Sequence, residues 1–135
     1  MLYHPAFSLG HPFPTDSKAV DFVERGLAIA TRGVAVLVRT SWLEGGERHR
    51  RLFAERPPTI VAQFCERVAM TKGRWDPSAT TATSYAWCVW LLRNRSPRAE
   101  FTWIPPGTRA RCTRPDDARR YGVQADAPLL ALAEA

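Results

Sequence analysis

A cationic turn, a threonine-rich stretch and a run of aromatic residues follow one another in residues 70–90, MTKGRWDPSATTATSYAWCVW. Lys72 and Arg74 flank a glycine, so a backbone can approach closely between two cationic side chains, as contacts to nucleic-acid phosphates require. Trp75 is an indole in a polar loop, where it is suited to contact a base or a partner. The competing interpretation is an ordinary hairpin with a polar loop and core strands.

Two further groups of residues admit both a functional and a structural interpretation. Tyr85 and Trp87 alternate along one strand, which is typical of core packing but also suits a pocket that stacks on a target base. In the run GERHRR, Arg48 and Arg51 are three residues apart and share one helix face. That face either contacts phosphate or is simply solvated.

The composition bounds the class of protein. The chain has 135 residues, enough for one domain, and a formal net charge of +6. Lys18 and Lys72 are the only lysines, so the excess charge comes from arginine. Guanidinium donates parallel hydrogen bonds to phosphate, which favours a polyanionic partner such as DNA. The same arginine content also occurs without any ligand in proteins of genomes with a high GC content.

Several kinds of site have no sequence signature here. Neither GxGxxG nor GxxxxGK[ST] occurs, and neither do GxSxG and HExxH. The three histidines lack metal-ligand spacing, and the three cysteines contain no CxxC pair, so we expect no metal and free thiols in a reducing cytosol. The N-terminus does not read as a signal peptide, and no apolar run approaches the length of a membrane span. These patterns predict a cytoplasmic protein without a membrane partner.

The elements that would position these residues alternate between helix and strand. The periodicity predicts a helix after Thr15 and Asp16, a strand at VAVLV (34–38), a charged helix over 44–56 and a strand over 59–64. A long polar loop then leads to strands over 83–92 and 100–104, which we expect to form an antiparallel hairpin. The fold class is therefore α/β, with a mixed sheet that ends in this hairpin.

The chain divides into three parts on this interpretation: an irregular segment 1–15, a domain 16–106, and a polar tail 107–135 that ends in a short helix. VAVLV lacks alternation, which is typical of a strand buried on both faces. The chain has few strands to place beside it. We therefore expect a second copy or a companion chain to complete the sheet.

Taken together, the blocks TRGVAVLVRTSWLEGGERHRRLFAERPPTIVAQFCERVAMTKGR, ATSYAWCVW and WIPP resemble the C-terminal half of a phage- and prophage-type family of S-adenosylmethionine-dependent DNA methyltransferases, described as adenine-specific. The resemblance covers residues 16–106. It implies a partial Rossmann-like methyltransferase fold in which VAVLV is the fifth strand and a hairpin closes the sheet. It also implies that the loop from Lys72 to Thr83 lies near DNA, beyond the carboxyl ends of the strands.

The resemblance also points to candidate catalytic residues. The family has an Asn/Asp-Pro-Pro-aromatic tetrapeptide just before the helix that here begins near Asp16. Residues 13–16 (Phe-Pro-Thr-Asp) occupy that position by direct counting. The nearest look-alike is His4-Pro5-Ala6-Phe7, which keeps the first proline and the aromatic residue. The catalytic candidates are therefore His4, Pro5, Phe7 and Asp16.

Three functions follow from these observations. The first is a truncated or divergent methyltransferase-like protein that retains a DNA-facing surface but lacks autonomous methyl transfer, because the cofactor-binding half of the family is absent. The second is an active DNA adenine methyltransferase that uses S-adenosylmethionine, with a cofactor site that this sequence does not reveal or that a separate chain supplies. The third is a small basic interaction protein without enzymatic activity.

Overall fold

In the computed structural model, which describes residues 2–3, 15–71 and 76–122, five strands form one sheet. The strands are β1 (Leu2–Tyr3), β2 (Gly33–Arg39), β3 (Ile60–Phe64), β4 (Tyr85–Leu91) and β5 (Glu100–Ile104). The helices are α1 (Thr15–Ile29), α2 (Gly46–Arg48), α3 (Thr108–Cys112) and α4 (Asp117–Tyr121). A 3-10 turn at Thr40–Leu43 follows β2, and α2 continues directly into a π-helical turn at His49–Phe53.

The sheet has the strand order β1-β2-β4-β3-β5. β1 is parallel to β2, and β5 is parallel to β3, whereas β4 is antiparallel to both β2 and β3. Four strands therefore run in one direction, and β4 runs against them. The prediction of an α/β fold with a mixed sheet is confirmed.

The predicted hairpin between the strands over 83–92 and 100–104 is wrong. β4 lies between β2 and β3, and β5 pairs with the far side of β3. The side chains explain this arrangement, because Ala86, Cys88 and Trp90 of β4 are buried whereas β5 is exposed along most of its length. A strand with so much apolar surface gains most from a central position.

Thr59, the residue directly before β3, forms hydrogen bonds to both β4 and β5 and so fixes the two ends of the connection between them. Its backbone N–H donates to the carbonyl of Val89 (2.7 Å), and its own carbonyl accepts from the N–H of Glu100 (2.9 Å). Its hydroxyl oxygen accepts from the N–H of Leu91 (3.0 Å). One residue thus contacts both neighbouring strands and directs residues 92–99 across the end of β3.

The core lies between α1 and one face of the sheet. The first helix begins where the sequence predicted it, and Ala19, Val20 and Val23 are buried against the sheet. The sheet contributes the valines at alternate positions of β2, together with residues of β4; the buried cluster includes Val34, Val36, Val38, Cys88 and Trp90. Leu37, on the opposite face of β2, is also buried, as the unbroken apolar run of this strand indicated.

The remaining helices differ in part from expectation. The charged segment 44–56 is helical only from Gly46 to Phe53. The tail beyond residue 106, which the sequence predicted as loop, contains α3 and α4, and the helix predicted near the C-terminus lies outside the described residues. Within the described ranges, no helix is both long and apolar enough to cross a membrane.

Candidate nucleic-acid interface

One end of the sheet brings together several polar segments of the chain. β2, β3 and β5 end there, β1 ends there as well, and β4 begins there, because β4 alone is antiparallel to its neighbours. We call this end the carboxyl edge. The connection 65–84, which contains the predicted cationic turn, leaves β3 and returns to β4 at this edge. Ligands of open α/β sheets bind at this position relative to the strands.

Side chains and backbone at the carboxyl edge fix the ends of three adjacent strands. The N–H of Thr40 donates to the carbonyl of Ser84 (2.9 Å), and the hydroxyl of Thr40 donates to Oε1 of Gln63 (3.3 Å). The amide nitrogen of Gln63 donates to the carbonyls of Phe64 (3.0 Å) and Tyr85 (3.1 Å). Polar groups at the ends of β2, β3 and β4 are thereby satisfied within the protein.

Arg67 secures the returning part of the connection. Its Nη1 atom donates to the carbonyl of Ala82 and to Oγ of Ser84, each at 2.6 Å. Farther out, Asp76 accepts hydrogen bonds from the backbone N–H (2.9 Å) and the hydroxyl (2.7 Å) of Ser78. This Asx-type turn orders the chain directly after the cationic turn.

Glu66 and Arg109 join α3 to the same connection. The carboxylate of Glu66 accepts from the N–H groups of Arg109 (3.0 Å) and Gly107 (3.1 Å), and these bonds lower the pKa of Glu66 below its ordinary value. The Arg109 guanidinium donates to the carbonyls of Pro77 (2.9 Å) and Asp76 (3.3 Å). The tail therefore packs against the polar loop between β3 and β4, at Asp76 and Pro77.

The tail adds positive charge to this region. Residues 107–122 contain five arginines and two aspartates: Arg109, Arg111, Arg114, Arg119, Arg120, Asp116 and Asp117. Arg120 pairs with Asp116 at 2.6 Å. Arg111, Arg114 and Arg119 are exposed, and Nη2 of Arg119 is 4.0 Å from Oδ2 of Asp116. An exposed guanidinium group can make bidentate contacts to phosphate.

The two arginines predicted on the charged helix make contacts within the protein instead. Arg48 is only 7% exposed, donates to the carbonyl of Glu44, and lies over Trp42 with its guanidinium carbon 5.7 Å from the ring centroid. A buried guanidinium does not present itself to a DNA backbone.

Arg51 joins the helical segment 46–53 to α1. Its Nη2 atom is 2.7 Å from Oδ1 of Asp21 and 2.6 Å from Oε2 of Glu24. Hydrogen bonds to these two carboxylates raise the pKa of Arg51 further above its ordinary value. We therefore place neither Arg48 nor Arg51 in the interface.

Tyr85 and Trp87 lie on the face of β4 opposite to Ala86 and Cys88, and both are half-buried. Tyr85 is the first residue of the strand, at the carboxyl edge, and pairs with Arg39. Trp87 is farther into the sheet, beside Leu37 and Ala62. Tyr85 is thus the better positioned of the two for contact with a ligand at the edge.

The other predicted site residues fall mostly outside the described part of the chain. His4, Pro5, Phe7, Lys72, Arg74 and Trp75 belong to this group. Asp16 is in the first turn of α1, not in a segment that precedes the helix.

Four residues of the edge were not predicted: Gln63, Glu66, Arg67 and Arg109. Their position directly after strand ends was the available signal for Glu66 and Arg67, whereas Arg109 is 32 residues in sequence from its acceptor Pro77.

A cleft lies at the opposite end of the sheet. It has a volume of about 130 Å³ and is lined by apolar side chains, among them Leu27 and Trp90, together with Arg56 and Arg95. The indole N–H of Trp90 donates to the carbonyl of Arg56 at 2.9 Å, so the polar atom on its floor is satisfied. Among the described residues, no cluster of three or more His, Cys, Asp or Glu side chains is arranged to hold a metal ion.

These features define the class of protein: an α/β protein with a mixed sheet and an arginine-rich segment at the carboxyl edge of that sheet. No family model, curated protein or solved structure matches the chain.

Proposed function

We propose that this chain is a methyltransferase-like DNA-binding protein that contacts DNA through the carboxyl edge and does not transfer a methyl group by itself. One observation carries the proposal: the connection 65–84 and the arginine-rich helices α3 and α4 follow strands that end at the same edge. Hydrogen bonds from Arg109 to the carbonyls of Asp76 and Pro77 connect the two segments. DNA affinity depends mainly on such cationic contacts to phosphate.

The closing hairpin that the methyltransferase resemblance places at SYAWCVW and FTWIP does not form, because β5 pairs with β3 and not with β4. The resemblance expects an α/β fold with a mixed sheet, which the chain has. It also expects the catalytic tetrapeptide before α1. Tyr3 is the last residue of β1, which is parallel to β2, and His4-Pro5-Ala6-Phe7 follows it directly. This favours His4–Phe7 over residues 13–16, because Thr15 and Asp16 already belong to α1.

The composition of that tetrapeptide argues against autonomous catalysis. In the family, the Asn or Asp side chain and a backbone carbonyl accept hydrogen bonds from the exocyclic amine of the base. This chain has histidine at that position and alanine in place of the second proline. Methyl transfer depends on exact positioning of the amine, so both changes weaken it. The sequence also lacks a glycine-rich cofactor loop.

DNA binding is tested by fluorescence anisotropy with a labelled duplex over a series of salt concentrations. We expect the logarithm of the affinity to fall linearly with the logarithm of the salt concentration. Replacing Arg111, Arg114 and Arg119 together by glutamine should reduce the slope by about 0.9 for each DNA phosphate that the variant no longer neutralises.

The matched control removes the same charge elsewhere. Arg50, Arg93 and Arg98 are exposed and lie outside the carboxyl-edge segments, and their replacement by glutamine should leave most of the slope intact. Absence of binding at low salt would contradict the DNA proposal and favour a non-enzymatic interaction protein. An equal decrease of the slope in both triple variants would show that net charge, not this edge, governs binding.

The absence of autonomous cofactor binding is tested by titrating the chain with S-adenosylmethionine in a calorimeter. We expect no saturable heat. One-site binding with micromolar affinity would overturn this part of the proposal while leaving the DNA-binding part intact.

His4 follows β1 directly in sequence, and β1 is parallel to β2; this favours a second candidate, an active adenine methyltransferase. Transfer of tritium from labelled S-adenosylmethionine to DNA would support it, and His4→Ala and Phe7→Ala should then each abolish transfer. Activity that persists in both variants would exclude these residues as catalytic.

A companion chain belongs to the same proposal. β1 pairs with β2 only at Ala35 and Val36, so the outer side of β2 beyond Val36 has no strand beside it among the described residues. A strand from another chain would complete the sheet there. Adding a purified candidate chain should then restore S-adenosylmethionine binding in the calorimeter.

A further inference from the structure

The outer strand β5 exposes two large aromatic side chains. Phe101 is 54% exposed and Trp103 is 63% exposed, and their ring centroids are 4.8 Å apart in an edge-to-face arrangement. They share one face of the strand, while Thr102 between them points to the other face and is also exposed. Exposed aromatic side chains that lie side by side on a strand are typical of interaction surfaces.

The backbone of β5 also has hydrogen-bonding groups available on its outer side. The N–H of Glu100 donates to the carbonyl of Thr59 (2.9 Å), and the carbonyl of Ile104 accepts from the N–H of Cys65 (3.1 Å). Residues 100 and 104 therefore direct their backbone groups towards β3. Because these directions alternate along a strand, the N–H and C=O groups of Phe101 and Trp103 point away from the sheet.

The usual protections of an edge strand do not occur in the centre of β5. Natural sheets block such edges with lysine, proline, inward-pointing charges or bulges. Residues 101–103 are Phe-Thr-Trp, without charge or proline, and the prolines begin only at Pro105, after the strand has ended. No strand among the described residues lies beside this part of the edge, so it can pair with another strand.

We propose that β5 pairs with β5 of a second copy of this chain, antiparallel and centred on Thr102. In this register, Phe101 stands opposite the partner's Trp103, and Trp103 stands opposite the partner's Phe101. The four outward backbone groups of these two residues then match those of the partner. The sequence Phe-Thr-Trp is thus self-complementary, because each aromatic residue meets an aromatic residue across the two-fold axis.

This register also fixes the geometry of the residue pair at the two-fold axis. The backbone groups of Thr102 point inward, so Thr102 and the partner's Thr102 form a non-hydrogen-bonded pair. The Cα atoms of such a pair are about 4.5 Å apart. The proposal concerns the outer side of β5 and does not depend on DNA binding at the carboxyl edge.

The first experiment measures association by analytical ultracentrifugation of the full chain. We expect a reversible equilibrium between a 15.2 kDa protomer and a species of twice that mass. Phe101→Lys combined with Trp103→Lys should abolish the larger species, because lysines would then oppose each other across the axis. Phe101→Glu combined with Trp103→Glu should do the same, and mixing the two double variants should restore the larger species through opposite charges.

Restoration of the larger species on mixing would show that both double variants are folded, because unfolded chains could not form this pair of strands. A control variant carries Ile29→Lys and Tyr121→Lys, which alter two residues that are each 58% exposed elsewhere on the surface. It should associate like the unmodified chain. A monomer at all concentrations, or loss of association in the control alone, would overturn the proposal.

The second experiment tests the register by disulfide formation. In a background in which the exposed Cys65 and Cys112 are replaced by serine, Thr102→Cys should cross-link on mild oxidation, since its Cα separation lies within the disulfide range. Glu100→Cys lies on the same face but opposite the partner's Ile104, so it should not cross-link. Cross-linking at position 100 and not at 102 would exclude the proposed register.

Discussion

At the scale of single residues, the side chain of Arg48 leaves room only for a glycine at position 45. Gly45 has φ of 129°, a conformation that side-chain-bearing residues rarely adopt. A Cβ atom at this position would lie 2.7 Å from Nη2 of Arg48. The guanidinium therefore occupies the space beside the glycine, where it reaches the carbonyl of Glu44 and the ring of Trp42.

We therefore expect Gly45→Ala to lower the free energy of unfolding by about 1–3 kcal/mol, through backbone strain and displacement of Arg48. Gly46→Ala is the matched control, because a Cβ there meets nothing within 4 Å. That change should be neutral or slightly stabilising. Urea denaturation of both variants measures the difference, and equal stabilities would contradict the role assigned to Gly45.

Cys88 should behave differently from the other two thiols. Burial raises the pKa of Cys88 to about 12, whereas Cys65 and Cys112 are exposed. A thiol reagent should therefore modify two cysteines of the native chain quickly, and the third only after unfolding. Rapid modification of Cys88 in the native chain would place it outside the core.

The same burial makes stability depend on alkaline pH. The folded chain keeps the Cys88 thiol protonated, while the unfolded chain releases this proton from pH 9, the ordinary pKa of the group. The contribution of Cys88 to stability is thus complete below pH 9 and is lost as the pH rises towards 12. Stability of the unmodified chain should fall more steeply over this range than that of Cys88→Ala.

At the scale of elements, the short helical segment 46–53 is held on α1 by Arg51. This side chain contacts carboxylates on two successive turns of α1, Asp21 and Glu24, whereas the neighbouring Arg50 pairs with Glu47 of its own segment. Contacts between elements stabilise a fold more than exposed contacts within one helical turn, because they oppose separation of the elements.

We expect Arg51→Ala to lower the midpoint of thermal unfolding clearly more than Arg50→Ala. The Arg50 side chain is 72% exposed, so its pair with Glu47 is screened by solvent. Calorimetric scans of the two variants measure the difference. An equal decrease would show that the contact with α1 contributes no more than a surface ion pair.

Glu66 gives the docking of α3 a pH dependence. Its pKa is lowered by hydrogen bonds from the N–H groups of Arg109 and Gly107, so the stabilisation is present above the ordinary value of 4.5 and is lost as the pH falls through the lowered value. Glu66→Gln should increase hydrogen exchange at residues 107–112 at neutral pH. In acid, the variant and the unmodified chain should become alike; a difference that persists at low pH would contradict this assignment.

At the scale of the whole molecule, the two proposed surfaces use different parts of the sheet. DNA would contact the ends of the strands, and a second copy would contact the outer side of β5. Because the paired β5 strands run antiparallel, the carboxyl edges of the two protomers lie at opposite ends of the joined sheet, so a dimer would hold two separate DNA molecules.

This arrangement predicts that association and DNA binding can be separated. Phe101→Ser combined with Trp103→Ser should leave the affinity for a short duplex, which fills one carboxyl edge, close to that of the unmodified chain. The unmodified dimer should bring two short duplexes into one complex, whereas the variant should bind one duplex in each complex. Anisotropy measures the affinity and analytical ultracentrifugation measures the number of duplexes in a complex; a decrease in the affinity of the variant for the short duplex would place the aromatic pair in the DNA interface itself.

The sequence alone was sufficient for features that depend on local chemistry. The presence of α1, the buried valines of β2 and the mixed α/β class were all predicted correctly. Each depends on periodicity within a few positions. Residues 68–82 were likewise predicted to form a polar loop, and the described ones among them, 68–71 and 76–82, contain no helix or strand.

Only the tertiary structure decided which strands are neighbours and which charges are available. β4 lies in the centre of the sheet and not in the expected hairpin, because its buried apolar residues favour a central position. β5 is an edge strand. Arg48 is buried over Trp42, although its sequence neighbours are charged. Strand order and the burial of a cation depend on partners distant in sequence, and no local pattern specifies those partners.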